Sequence, residues 1–244
     1  MTFVIPMAGK GSRFQKAGYE MPKMLIEAHG KTLLEWSVDS LPLEICDSLI
    51  FIGLKEHKEK YSIDSVIKKL YADRVKKLEI LFLDKVTRGQ AETVMMGEEF
   101  FEPDKDLVIF NIDTHVYAPS LKYDLLREDC DGVLGAFHSN EDRFSFAKLD
   151  ENGYVVETAE KVAISNYALT GLYHFKRASD FVDVAKKHIE SEVLTKGEFY
   201  IAPMYNDLIS EGKKFIINMA EEHWVLGTPE ELNDFEINYQ SRVR

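Results

Sequence analysis

The sequence predicts an α/β fold: a mostly parallel, Rossmann-like sheet flanked by helices, with a smaller antiparallel section in the second half. Three observations predict it. Short apolar runs alternate with amphipathic stretches through the first half. From residue 132, strand-like runs follow one another with only turns between them. The chain has 244 residues, 45% of them hydrophobic, which suffices for one sizeable core. No internal repeat, low-complexity tract or linker divides it. We therefore expect one domain, 1–244, made of a first half, 1–130, and a second half, 131–244.

The first strand is Phe3 to Pro6. Leu33 to Leu41 reads as a helix with Leu34, Trp36, Val38 and Leu41 mostly inward. Asp47 to Leu54 is the next strand, Ile63 to Leu70 a helix, and Leu78 to Leu83 a strand. Ala91 to Phe101 is helical and Leu107 to Ile112 is a buried strand. Strands alternating with helices in this way build a parallel sheet covered on both faces. The pattern then changes. Gly132 to Phe137, Phe144 to Leu149, Tyr154 to Thr158 and Leu169 to Phe175 are successive strands. Asp150-Glu151-Asn152-Gly153 between two of them is a hairpin turn signal. Helices return at Ala178 to Ser191 and Pro203 to Ser210, followed by a strand at Phe215 to Met219 and a closing helix at Pro229 to Gln240. The lysines of residues 55–77 alternate with Glu and Asp, as on a solvated helical face.

The formal net charge of −12 argues against nucleic acid as a partner, because its phosphates require basic patches. Cys46 and Cys130 are too few and too far apart for a metal motif or a disulfide framework, so reduced, buried thiols are expected. The run Thr2 to Ile5 is too short for a targeting segment, and no apolar run reaches the ~18 residues of a membrane helix. The expectation is a cytoplasmic protein with no membrane partner. Homo-oligomerisation is left open.

Against this acidic background, the basic residues near the first strand stand out. The strand ends in a turn containing Gly9 and Gly11; Arg13 follows directly and Lys23 ten residues later. Glycines there let backbone N–H groups approach an anion, and the two cations add a forked and a compact charge. Together they suggest a cradle for a polyphosphate. The dinucleotide fingerprint fails, because Phe14 stands where its third Gly belongs, and no Gly-Lys-Ser/Thr follows at Walker spacing. Asp113 is a second focus. It follows the buried run Leu107 to Ile112, and ligands of open α/β sheets bind beyond the carboxyl ends of such strands.

The whole string Gly9-x-Gly11-Ser12-Arg13, Pro22-Lys23 and Leu25-Ile26 resembles the signature of the sugar-phosphate nucleotidylyltransferases, or nucleotide-sugar pyrophosphorylases. The resemblance extends from Phe3 to Leu232. It implies a nucleotide-binding first half with Ala8, Gly9, Gly11, Ser12, Gln90 and Asn111 against the nucleotide. It also implies catalytic roles for Arg13, Lys23, Asp113 and Lys161. Asn111-Ile112-Asp113 resembles the family's Asn-Gly-Asp strand end, whose Asp holds Mg²⁺, so the implied cofactor is Mg²⁺ and its implied ligand is Asp113. Thr87-Arg88-Gly89-Gln90-Ala91 resembles the loop that reads the nucleobase, although the same string also reads as an ordinary helix start. Glu160-Lys161, Thr170-Gly171 and Gly197-Glu198 resemble acceptor-side segments. They imply an acceptor-binding second half with Glu160, Thr170, Gly171 and Glu198 at the acceptor. The implied partners are a nucleoside triphosphate and a small phosphorylated acceptor.

One departure matters. The family ends in Trp-x-Asp-x-Gly-Thr with a second metal carboxylate, and here Trp224-Val225-Leu226-Gly227-Thr228 puts Val225 nearest to it. Glu222 and His223 are the neighbouring groups that could compensate. Ile5-Pro6-Met7-Ala8-Gly9 resembles the small capsule-type members, which include cytidylyltransferases acting on phosphocholine or phosphoglutamine. The expected function is NMP transfer from CTP, or from UTP or dTTP, to a sugar 1-phosphate or such a non-sugar phosphate, in surface polysaccharide synthesis. The alternative is a non-catalytic nucleotide-binding homologue with a regulatory role, which Val225 favours.

Overall fold

The computed structural model describes residues 1–240; the last four residues of the expected second half lie outside the described ones. The first half runs β1 (Thr2–Pro6), α1 (Ser12–Lys16), β2 (Glu27–Ala28), β3 (Lys31–Thr32), α2 (Leu33–Val38), β4 (Ser48–Leu54), α3 (Lys55–Tyr61), α4 (Ile63–Tyr71), β5 (Lys77–Leu83), α5 (Gln90–Met95), β6 (Leu107–Phe110), β7 (Thr114–Tyr117) and α6 (Leu121–Leu125). The second runs β8 (Gly132–His138), β9 (Ser145–Leu149), β10 (Val155–Glu160), β11 (Tyr167–Phe175), α7 (Ala178–Glu190), α8 (Tyr205–Ser210), β12 (Phe215–Met219), β13 (Glu222–Val225) and α9 (Pro229–Asn238).

The main sheet has the order β10-β9-β11-β6-β1-β4-β5, with β8 pairing β11 and β12. Strands β6, β1, β4 and β5 are mutually parallel, as the βα alternation requires. Strand β11 runs antiparallel against β6 and joins the antiparallel section to the parallel one. The predicted hairpin joins β9 to β10: the Asp150 carboxylate accepts from the Asn152 and Tyr154 backbones at 2.9 Å each, and Gly153 takes φ +83°.

The period-2 alternation of the central strands sorts their side chains into two cores. Val4, Ile50, Ile52 and Ile109 face the layer of α5 and α7. Phe3, Ile5, Leu49, Phe51, Val108 and Phe110 face that of α2 and α4. A third, aromatic cluster of Phe14, Trp36 and Phe235 seats α9 against α1 and α2. The lysine-rich helix α4 buries only Ile63, Ile67 and Tyr71, so its charges form the expected solvated face. Cys46 and Cys130 are free and buried, as expected. No helix among the described residues is long and apolar enough to cross a membrane.

Three differences from the sequence reading have local causes. The helix expected to Phe101 ends at Met95, and a 3₁₀ turn follows at Glu98–Phe100. Gly97 lies between them, where a Cβ would approach Ile52 Cδ1 to 3.0 Å. The helix expected to Leu41 stops at Val38, four residues short of Pro42, which cannot continue it. A two-stranded sheet, β7 with β13, was not anticipated. Its four-residue strands sit at the shortest length at which alternation signals a strand, and their burial does not alternate.

Candidate active site

The carboxyl ends of β1 and β6 open onto one depression. Strand β1 delivers Met7, Ala8 and Gly9; β6 delivers Asn111, Ile112 and Asp113. With Thr87, Gly89, Gln90, Lys23 and Glu198 these residues enclose a cavity of about 340 Å³. A second depression, about 290 Å³, is lined by Gly11, Ser12, Arg13, Lys23, Asp113 and Gly227. Lys23 and Asp113 belong to both and form the wall between them.

Lys23 Nζ lies 2.7 Å from Asp113 Oδ2, an ion pair whose side chains are only 16% and 28% exposed. The approach depends on Gly11, which adopts φ +62°; a Cβ there would meet the Lys23 Cβ at 3.3 Å. Pro22 is extended and starts the 3₁₀ turn Lys23–Leu25 that carries the lysine inward. Burial pushes the Asp113 carboxyl upward in pKa, but the Lys23 ammonium, with a smaller contribution from Arg13, outweighs it and holds the group below its ordinary value. Asp113 is therefore a carboxylate at neutral pH.

The base of the first cavity is held by a polar chain. Gln90 Nε2 donates to Asn111 Oδ1 at 2.6 Å, and the Ser37 hydroxyl donates to the Asn111 carbonyl at 2.5 Å. The Asn111 amide lies on Gly171, at φ +88°, where any Cβ would overlap it. The Gln90 amide keeps its carbonyl oxygen and one N–H for other partners. Gly89 lets this loop close on the 198–200 segment: its Cβ would come within 2.5 Å of the Phe199 backbone. Backbone bonds from Phe199 to Arg88, 2.9 Å, and from Ala91 to Phe199, 3.0 Å, fix the contact. Glu198 is carried into the cavity by the same segment.

Lys161 forms a neighbouring cluster and does not line either depression. It sits at φ +56°, and its ammonium donates to the Tyr200 hydroxyl at 2.5 Å and lies 3.9 Å from Glu160. Burial acts to lower the Lys161 pKa, but the Tyr200 bond and the Glu160 and Glu198 charges leave it raised. Burial dominates for Glu160, whose pKa is raised; its carboxylate is engaged by Ser145 and Lys161. Thr170 is buried in the sheet opposite Gly135 and reaches neither depression. Thus Ala8, Gly9, Gly11, Ser12, Arg13, Lys23, Gln90, Asn111, Asp113 and Glu198 converge, with Gly171 beneath Asn111, while Glu160 and Lys161 stand to one side.

Val225, which the resemblance aligns with the family's second carboxylate, lies close to Asp113. Val225 pairs with Thr114, next to Asp113, and Leu226 N donates to the Asp113 carbonyl at 2.8 Å. His223 stacks on Phe137 with ring centroids 3.6 Å apart, and Glu222 pairs with Tyr117 at the far end of the small sheet. Neither lines the two depressions that contain Asp113. The sequence reading gives no role to Arg143 or Glu231, and takes Tyr200, within Gly197-Glu-Phe-Tyr-Ile-Ala, as either an acceptor-side or a core aromatic. For Glu231 a signal exists: Thr228-Pro-Glu-Glu231 is a helix-start pattern that puts a carboxylate in the first turn of α9.

Known proteins share this fold. A solved nucleoside-diphosphate-sugar pyrophosphorylase from Vibrio cholerae RC9 superposes with a TM-score of 0.83 at 35% identity, covering 97% of this chain and all of that one. An inositol-1-phosphate CTP transferase from T. maritima shares the fold, with a TM-score of 0.72 at 16% identity over 98% of each chain. A glucose-1-phosphate thymidylyltransferase from Xanthomonas campestris pv. campestris is 26% identical over 131 residues, 48% of this chain; the match spans 44% of that relative's length. A family model described as nucleotidyl transferase matches residues 3–242, and the chain belongs to that family.

Proposed function

We propose that the protein transfers a nucleoside monophosphate from a nucleoside triphosphate to a small phosphorylated acceptor and releases pyrophosphate. The observation that carries this reading is the Lys23–Asp113 pair at the boundary of two depressions. The side holding Gln90 and Asn111 suits a nucleobase. The side holding Gly11, Ser12 and Arg13 suits phosphates. The α-phosphorus then lies over the pair.

The residues do the work of positioning and charge. Arg13 and Lys23 neutralise the leaving pyrophosphate, Lys23 moving from Asp113 to the phosphates as they arrive. Gln90 and Asn111 fix the base, and Glu198, in the same cavity, faces the acceptor. Lys161, set by Glu160 and Tyr200, receives the acceptor phosphate. No covalent nucleophile is needed, since the acceptor oxygen attacks directly. Asp113 suits Mg²⁺, because it is an ionised oxygen donor facing the phosphate depression, and that ion takes one or two carboxylates plus phosphates and water. When bound, the ion offsets the repulsion between the two reacting phosphates.

CTP is our preferred donor and a sugar 1-phosphate or phosphocholine-like group our preferred acceptor, on the strength of the Ile5-Pro6-Met7-Ala8-Gly9 string. A role in cytoplasmic synthesis of surface polysaccharide precursors follows from that choice. The test is a matrix: CTP, UTP, dTTP and ATP against sugar 1-phosphates, phosphocholine and phosphoglutamine, with Mg²⁺, reading pyrophosphate. Acceptor-dependent release with one triphosphate supports the proposal. Release from none of the combinations, or release that ignores the acceptor, contradicts it.

A further inference from the structure

Asp113 is a single carboxylate where a dication is expected to sit, and a second carboxylate approaches from helix α9. At Gly227 an added Cβ would lie 3.3 Å from Asp113 Oδ2 and 3.4 Å from Glu231 Oε2. Both carboxylate oxygens therefore lie beside Gly227 where a side chain would project, and no side chain at 227 separates them. Glu231 is also held rigidly. Its Oε1 is engaged by Arg143, which is itself fixed by Glu141 at 2.8 Å and lies over the Phe144 ring at 4.5 Å. Its Oε2 accepts from Gly227 N at 3.1 Å. Its backbone N–H donates to the Thr228 cap at 3.2 Å. A carboxylate oxygen has two lone-pair sites, so one site on Oε2 is left for a further ligand.

We propose that Glu231 is the second carboxylate of the Mg²⁺ site, accepting a hydrogen bond from the ion's water shell while Asp113 binds the ion itself. This rests on the nucleotidyl-transfer reading. A water-mediated role suits an ion that commonly keeps several waters and whose direct oxygen bonds, ~2.0–2.1 Å, would go to Asp113 and the phosphates. Arg143 then acts as a positioning residue. It holds the outer oxygen of Glu231 so that the inner one faces Asp113.

The probe is Mn²⁺, titrated into the full chain with the α,β-methylene analogues of CTP, UTP and dTTP in turn and followed by water-proton relaxation and EPR. Glu231→Gln keeps an acceptor for Gly227 N–H and removes the charge. It should weaken Mn²⁺ uptake by the nucleotide complex about 10–100-fold, the usual loss for an outer-shell partner, with the folded far-UV circular dichroism spectrum retained. Asp113→Asn should abolish uptake. Wild-type-like uptake by Glu231→Gln, beside a loss in Asp113→Asn, would overturn the role of Glu231 and leave the function standing. No uptake by the wild type with any analogue, or none lost in Asp113→Asn, would overturn the site itself. If Glu231→Gln does not fold, anomalous scattering from wild-type crystals with Mn²⁺ and nucleotide decides. A peak bonded to Asp113 with a shared water on Glu231 supports the proposal; a peak with no water reaching Glu231 refutes it.

Discussion

Replacing Lys23 by Met keeps most of the side chain's volume and removes the ammonium that faces Asp113 at 2.7 Å. Two effects should separate. For stability, the pair is neither exposed, where such bridges are worth ~0–1 kcal/mol, nor fully buried, where breaking one costs ~3–5 kcal/mol. At 16% and 28% exposure an intermediate loss of about 1–3 kcal/mol is expected, or roughly 2–10 °C in melting temperature for a chain of this size. Adding Asp113→Asn should restore part of it, because the stranded carboxylate is gone. For turnover, loss of a preorganised charge at the reacting phosphate should cost about 10²–10³-fold in kcat. The double variant should not recover this loss. The pH dependence follows from the lowered Asp113 pKa: the pair's contribution is present above the ordinary carboxylate value of 3.8 and is lost as pH falls through the depressed native value. Lys23→Met should flatten that acid limb. Thermal melts and pyrophosphate release on the four proteins of the cycle test this. Near-normal turnover of Lys23→Met, or strictly additive stability losses, would refute the reasoning.

Lys161→Ala should raise the acceptor's KM far more than the triphosphate's; a change confined to the triphosphate KM would reverse the assignment. Gly171→Ala should weaken nucleotide binding at least ~10-fold, since its methyl would displace the Asn111 amide that Gln90 holds, and equilibrium dialysis with the preferred triphosphate reads it. His223 has its pKa pushed down to about 3, mainly by burial, with Arg143 and His115 adding to it. The unfolded chain binds that proton from about pH 6.5 downward, so the native state loses stability between there and pH 3. His223→Phe keeps the stack on Phe137 and should make melting less acid-sensitive in that window; an unchanged slope in pH-dependent melts would contradict this.

The parallel half of the fold was legible because its central strands are buried on both faces and its helices carry clear apolar stripes, as Phe3–Ile5 and Ile63–Ile67 show. The candidate site was legible where backbone chemistry and charge coincide within a short string, from Gly9 to Lys23. Contacts that join distant segments were not. Nothing local announces that Gly227 faces Asp113, or that Arg143 reaches Glu231 across 88 residues of sequence. Thr170 illustrates the converse: its placement beside the acceptor-side Gly171 says nothing of direction, and the shift in register along β11 turns it toward Gly135 inside the sheet.

The central claim is direct displacement at the α-phosphorus by a phosphate oxygen of the acceptor. ³¹P NMR of the reaction with the preferred pair reads it most directly. The account predicts two coupled doublets of a new diphosphate bridge, growing in step with inorganic pyrophosphate, and neither signal in Asp113→Asn. Orthophosphate with nucleoside diphosphate as the products, or pyrophosphate formed while the acceptor resonance stays unchanged, would contradict it.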